Sequence, residues 1–167
     1  MQFRKVLTPV LLTLLLQAPS LADDFKLIGT SKGEYREGAL AAGWIDGVPI
    51  NVGTDGKYIK IEGGIEEVGD EVVSAVVEAK EVLPLVEEFQ RWQKANAKVK
   101  RGQKPGAIDS DKLSVVKGGE TKEGFAIAVA DKSILKIYKY GKPYYFKINP
   151  LLVLTAIEKA YKSTVKP

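Results

Sequence analysis

The sequence predicts an α+β fold, in which a single domain contains an antiparallel β-sheet of about 5–7 strands, covered by a kinked or split helix and a C-terminal helix. Short stretches of alternating apolar and polar residues, separated by glycine-rich turns, predict the strands. Apolar residues at helical spacing over residues 72–92, and again over residues 151–161, predict the helices.

The first 22 residues have the composition of a signal peptide. Two basic residues precede an apolar run over residues 6–16, and small residues follow up to Ala22. A membrane-spanning helix needs roughly 20 apolar residues, so this run is too short for one. We therefore expect cleavage after Ala22, export of residues 23–167 to the periplasm or the medium, and no transmembrane anchor.

The 167 residues include no cysteine and no histidine. Thiol nucleophiles, Ser-His-Asp relays and zinc sites built from imidazole or thiolate are therefore excluded. No sequence motif predicts another metal site or a cofactor. A chain of this length can bury a stable core without disulfides.

Charge is distributed unevenly along the chain. Residues 23–93 contain seven Lys and Arg against fifteen Asp and Glu, whereas residues 94–167 contain sixteen against six. We expect the basic half to contact an anionic partner, either another protein or an anionic envelope component, or copies to associate head to tail. Alternatively, both sets of charges are solvated and mix on the folded surface. Nucleic acid is a poor partner for an exported protein whose charges nearly balance.

The amino-terminal half begins with predicted strands. Residues 25–30 read as a strand, residues 31–38 as a polar turn, and residues 48–52 with 57–62 as a hairpin. Alternation places Ile59 and Ile61 on one face of that hairpin.

Residues 70–97 predict two helical segments, over residues 70–82 and 84–97, although the valines alone would also suit a strand. Asp70 is a good N-cap residue, and Pro84 must kink the helix or begin a second one. Glu87 and Arg91 have the spacing of a surface ion pair.

Residues 98–112 are basic and rich in Gly and Pro, which predicts an exposed loop. A loop of this length is often a partner-facing segment, and its candidate binding residues are Lys98, Lys100, Arg101 and Lys104. Two further strands follow, in the stretches KLSVVKGG and GFAIAVAD.

The stretch LKIYKYGKPYYFKI, residues 135–148, predicts a hairpin with two chemically different faces. A turn centred on Gly141 and Lys142 would place Lys136 opposite Lys147. The predicted core face consists of Leu135, Ile137, Phe146 and Ile148. The opposite face, hereafter the Tyr/Lys face, consists of Lys136, Tyr138, Tyr140, Tyr145 and Lys147.

Interleaved tyrosine and lysine predict a binding surface, on which the rings stack on a ligand and the lysines contact its phosphates or carboxylates. The opposed lysines would cost up to about 1 kcal/mol in such a hairpin. Alternatively, tyrosine is present as a strand former and lysine as a residue that keeps an exposed sheet soluble.

The chain ends in a predicted helix, with Asn149 as N-cap and Pro150 at the first helical position. We expect this helix to pack on the apolar face of the hairpin. Its apolar surface could also line a lipid-sized cavity. The short stretches before the two helical regions share Gly, Lys, Tyr and Ile, which is consistent with an old duplication or with chance.

These observations favour an exported, non-enzymatic binding protein of the inhibitor, immunity or envelope accessory type, which acts through the Tyr/Lys face, the basic loop and Trp44. A periplasmic carrier of an apolar ligand is the alternative, with its site between the last helix and the sheet. A small carboxylate-based hydrolase acting on envelope glycan is the third hypothesis, with Asp46 beside Trp44 as its first candidate acid.

Overall fold

A computed structural model describes residues 24–37, 43–64 and 72–164 of the chain. The predicted signal peptide and Asp70 lie outside these residues. Strands β1 to β4 are Lys26–Glu37, Ile45–Thr54, Tyr58–Gly63 and Val73–Glu78, and helix α1 is Leu83–Asn96. Strands β5 to β8 are Ser114–Lys117, Glu123–Ala128, Ile134–Lys139 and Lys142–Lys147, and helix α2 is Pro150–Thr164.

The described strands form one antiparallel sheet in the order β4-β3-β2-β1-β8-β7-β6-β5. Each half of the chain therefore contributes a four-stranded meander followed by a helix. The two meanders join where β1 pairs with β8, with Glu34 opposite Lys147 and Arg36 opposite Tyr145. The same order of elements in both halves is consistent with an old duplication, the alternative to chance that the short matching stretches left open.

The sheet curls around its core, so that the inner faces of distant strands approach each other. A Cβ added to Gly63 on β3 would lie only 2.6 Å from Cε1 of Phe146 on β8. The edge strand β4 also contacts β6 and β7. The largest fully buried side chains fill the space between these faces, and include Phe89, Phe125, Phe146, Ile50, Ile61 and Ile137.

Helix α2 packs mainly on the inner face of β1 and β2, rather than on the hairpin of residues 135–148 as expected from the sequence. Asn149 Oδ1 accepts a hydrogen bond from the Leu151 N–H at 3.1 Å, which confirms it as the N-cap. Gly29 permits the close approach, because a Cβ there would lie 2.9 Å from the Ala156 Cβ. Within the described residues, neither helix is long and apolar enough to cross a membrane.

The α+β class is confirmed, as are the hairpin of β2 and β3, the inward-facing Ile59 and Ile61, and the helices that begin near Pro84 and at Pro150. The predicted number of strands was too low, because the sheet has eight. Arg91 pairs with Glu88 at 2.8 Å rather than with Glu87.

The prediction of a helix over residues 70–82 was wrong. Residues 73–78 form β4, and only residues 79–82 form a single 3-10 turn before α1, so the helix is neither kinked nor split. Val73, Ala75 and Val77 alternate into the core, and the β-branched side chains pair along β3. The valines fit the spacing of a helix and that of a strand equally well, and pairing with β3 makes this segment a strand.

The stretch predicted as a polar turn, residues 31–38, was also misread, since residues 31–37 belong to the long strand β1. Its alternation is inward at Ser31 and Tyr35 and outward at Lys32, Glu34 and Arg36. Charged residues face outward on a strand that is paired on both edges, so polarity alone did not indicate a turn.

Gly63→Ala tests the curl of the sheet. The new methyl group would overlap the buried Phe146 ring, so we expect the free energy of unfolding to fall by about 1–3 kcal/mol, measured by urea denaturation. In a Phe146→Leu background the same change should cost clearly less, because the ring is gone. Equal costs in both backgrounds would show that β3 and β8 do not face each other.

Glu158→Gln tests an ion pair that helps to hold α2. Glu158 Oε1 accepts hydrogen bonds from Lys162 Nζ at 2.7 Å and from Gln90 Nε2 of α1 at 2.8 Å. The Lys162 hydrogen bond lowers the pKa of Glu158, so the charged form stabilises the folded state above the ordinary glutamate pKa, and this stability is lost as pH falls through the folded pKa.

We therefore expect Glu158→Gln to lower the free energy of unfolding by about 0.5 kcal/mol at pH 7. The deficit should vanish at low pH, where Glu158 is protonated in both states. Urea denaturation at both pH values measures it, with the exposed Glu87→Gln as control. A deficit of the same size at both pH values would contradict the assignment.

Candidate functional site

The hairpin of β7 and β8 turns one residue earlier than the sequence predicted. Tyr140 and Gly141 form the two-residue turn, with φ values of 51° and 80°, and Lys139 lies opposite Lys142. Positive φ at both central positions is the requirement of a type I′ turn. Tyrosine rarely adopts this conformation, so residue type alone does not indicate a turn at this position.

The earlier turn changes the cross-strand partners. Lys136 lies opposite Tyr145, and Lys147 lies opposite Ile134 on β7 and Glu34 on β1. The predicted like-charge pair of Lys136 and Lys147 was therefore wrong. Because the register differs by two residues, each side chain within the two strands keeps its predicted face, whereas Tyr140 lies in the turn.

The core face contains Leu135, Ile137 and Phe146, together with Tyr144, which is 8% exposed. Ile148 lies beyond the end of β8 and packs, half-buried, against the same core. The outer face carries Lys136, Tyr138, Tyr145 and Lys147, all half-buried.

Three cations and two rings alternate on the outer face, and we call them the outer-face cluster: Lys147, Trp44, Arg36, Tyr145 and Lys136. Lys147 Nζ lies 4.1 Å from the centroid of the Trp44 ring, and Arg36 Cζ lies 4.7 Å from it. Arg36 Cζ is 5.7 Å from the Tyr145 ring, and Lys136 Nζ is 5.9 Å from the same ring. Each ring therefore contacts two cations.

Arg36, which contacts both rings of the cluster, was not among the binding residues predicted from the sequence. The pairing of β1 with β8 places it directly opposite Tyr145, and β8 places Tyr145 opposite Lys136, so the three share one row across three strands. The alternation of Glu34, Tyr35 and Arg36 was the signal that a strand, rather than a turn, presents this residue.

The cluster has a surplus of positive charge. Glu34 Oε2 lies 2.5 Å from Lys147 Nζ and supplies one carboxylate. Arg36 and Lys136 have no carboxylate partner in the part of the chain that the structure describes, and Arg36 Nε is buried there without a hydrogen-bond acceptor. A buried guanidinium N–H without an acceptor is unusual.

The other predicted tyrosines lie further along the hairpin. Burial raises the pKa of Tyr138, so its phenol stays protonated and can donate a hydrogen bond at physiological pH. Lys122 Nζ lies 6.0 Å from the Tyr138 ring. Tyr140 occupies the turn, is 77% exposed, and borders a small groove between β4 and β7.

The basic loop is tethered to the body of the protein. Trp92 Nε1 donates to the Gly106 carbonyl at 2.6 Å, and the Gly106 N–H donates to Asn96 Oδ1 at 2.8 Å. The four predicted binding residues of this loop are exposed: Lys98, Lys100, Arg101 and Lys104. Lys104 pairs with Asp131 at 2.8 Å, and no described contact joins the loop to the outer-face cluster.

Asp46, the candidate acid of the hydrolase hypothesis, is exposed in β2. Its Oδ1 accepts a hydrogen bond from the Gly47 N–H at 2.7 Å, as in a simple turn. Asp46 borders a shallow groove together with Glu34, Lys32 and Lys147.

A cavity of about 250 Å³ lies between α2 and the strands β1 and β2, where the carrier hypothesis places its site. Its apolar lining includes Ile28, Ile50, Val52, Leu151 and Leu152. Leu151 and Leu152 are 45% and 55% exposed, so the cavity opens at the start of the helix.

No family model matches this chain, and neither a curated protein nor a solved structure shows significant similarity to it.

A double-mutant cycle tests the contact between Lys147 and Trp44. We expect Lys147→Met and Trp44→Leu to show a coupling free energy of about 0.5–1 kcal/mol in urea denaturation, because the cation lies over the ring. The matched pair Lys136→Met and Trp44→Leu should show none, since no contact joins them. Equal coupling in both cycles would contradict the geometry of the cluster.

Proposed function

We propose that this chain is an exported, non-enzymatic binding protein whose outer-face cluster holds a polyanionic partner. The observation that carries the proposal is the row of three cations fixed by two aromatic rings, with one carboxylate paired to it. Such a surface attracts repeated negative charge, as found on an anionic envelope component or an acidic protein segment.

The rings support this function by positioning the cations. Long lysine and arginine side chains lose rotamer freedom when they bind a partner, and this loss weakens binding. In the cluster, Trp44 and Tyr145 already restrict Arg36, Lys136 and Lys147. Trp, Tyr and Arg are also the residues that most often dominate the affinity of protein interfaces.

The basic loop is the second part of the proposed surface. Lys98, Lys100 and Arg101 are exposed and have no carboxylate partner within the described ranges. A polyanion long enough to bridge the cluster and the loop would gain from both contacts. The loop alone would add charge without the fixed geometry of the cluster.

Opposite charge changes at one ion pair test the proposal. Lys147→Gln should weaken binding of a heparin decasaccharide, used as a model polyanion, whereas Glu34→Gln should strengthen it, because it removes the carboxylate that neutralises Lys147. We expect changes of about two- to fivefold in each direction, measured by calorimetry at low ionic strength, and smaller changes at high salt.

Lys94→Gln on α1 is the matched control, since it removes one exposed lysine outside both parts of the surface. Poly-glutamate in place of heparin distinguishes an acidic protein segment from a glycan. Equal losses in Lys94→Gln and Lys147→Gln, or a loss in Glu34→Gln, would refute a role for the cluster. Loss confined to the Lys98→Gln/Lys100→Gln/Arg101→Gln variant would assign binding to the loop instead.

A second candidate function is a carrier of an apolar ligand. The cavity beneath α2 favours it, because its floor is formed by Ile50 and Val52, each 1% exposed, and its opening by Leu151 and Leu152. Ligand sites are typically apolar clefts with a few well-placed polar groups.

A further inference from the structure

The cavity beneath α2 contains a polar group that the apolar core does not explain. Ser31 on β1 lines the cavity, is only 7% exposed, and its Oγ has no hydrogen-bond partner within the described residues. A buried hydroxyl without a partner destabilises a folded protein, so such groups are rare and usually have a function or a bound molecule. Ser31 thus indicates that the occupant of the cavity carries a hydrogen-bonding group.

A positive charge lines the same cavity. Lys159 lies eight residues after Leu151 on α2 and is exposed. It has no carboxylate partner in the part of the chain described, unlike Lys162, which pairs with Glu158 at 2.7 Å. Its flexible stem lets the ammonium group lie over the cavity while the rest of the side chain packs on apolar surface.

The volume limits the size of the occupant. A cavity of 150 Å³ holds a benzene-sized molecule in an engineered protein core, so about 250 Å³ corresponds to roughly ten non-hydrogen atoms. Ser31 and Lys159 both line this cavity, so a single occupant lies next to both residues.

We propose that the cavity beneath α2 binds a small amphipathic carboxylate with a chain of medium length. The chain lies on Ile50 and Val52, and the carboxylate accepts a hydrogen bond from Ser31 Oγ and pairs with Lys159. This proposal rests on the second candidate function, the carrier, and is independent of the outer-face cluster.

Octanoate and 1-octanol, which differ mainly in the charged head group, are the probes for this site. Titration of the purified protein, followed by methyl NMR, should show octanoate-dependent shifts at Leu151, Leu152 and Val52. We expect Lys159→Gln to weaken octanoate binding about two- to fivefold and to leave octanol binding unchanged. Lys162→Gln, on the same helix but outside the cavity lining, is the matched control and should change neither.

Ser31→Ala distinguishes a loss of binding from a loss of folding. It should weaken octanoate binding about three- to tenfold, yet raise the resistance of the ligand-free protein to urea, because the unpartnered hydroxyl is removed. Binding of both probes with no effect of Lys159→Gln would overturn the carboxylate proposal and leave the carrier intact. Binding of neither probe at millimolar concentration would overturn both.

Discussion

Strand β1 is hydrogen-bonded along both edges, to β2 over most of its length and to β8 over residues 34–37. Those four residue pairs are the seam between the two four-stranded halves of the sheet. The outer-face cluster depends on it. The seam brings Arg36 beside Tyr145 on the outer face, and on the inner face it holds Tyr35 against Phe146, with ring centroids 5.1 Å apart.

The face on which each hairpin side chain lies could be predicted from the sequence, because the two-residue period of a strand survives a register error of two. The register of the β7–β8 hairpin could not be predicted from the sequence. It depends on Tyr140 adopting a positive φ, which its residue type disfavours and which the pairing of β7 with β8 on either side of the turn imposes. Lys136, Tyr145 and Lys147 could thus be predicted to share one surface, but their predicted cross-strand partners were wrong.

Two further features, Arg36 in the cluster and the strand β4, could not be predicted from the sequence because they depend on pairing between strands. Arg36 joins the cluster only because β1 lies beside a strand more than one hundred residues away in the chain, and Glu34 and Lys147 are separated by 113 positions. The valines of β4 are a second case. They fit both strand alternation and helical spacing, and only their pairing with β3 makes this segment a strand. Local patterns specify the face on which a strand residue lies, whereas turns, register and the order of strands follow from contacts that no short window contains.

The strand order also bears on when this chain can fold. Strands β2, β3 and β4 pair with their sequence neighbours and can form soon after they are synthesised, but one edge of β1 stays open until β8 has been made. Such a nonlocal closure delays the native state until nearly the whole polypeptide is available. For a chain that we propose to be exported, this delay keeps the sheet from closing during synthesis, when a translocation channel needs an extended substrate.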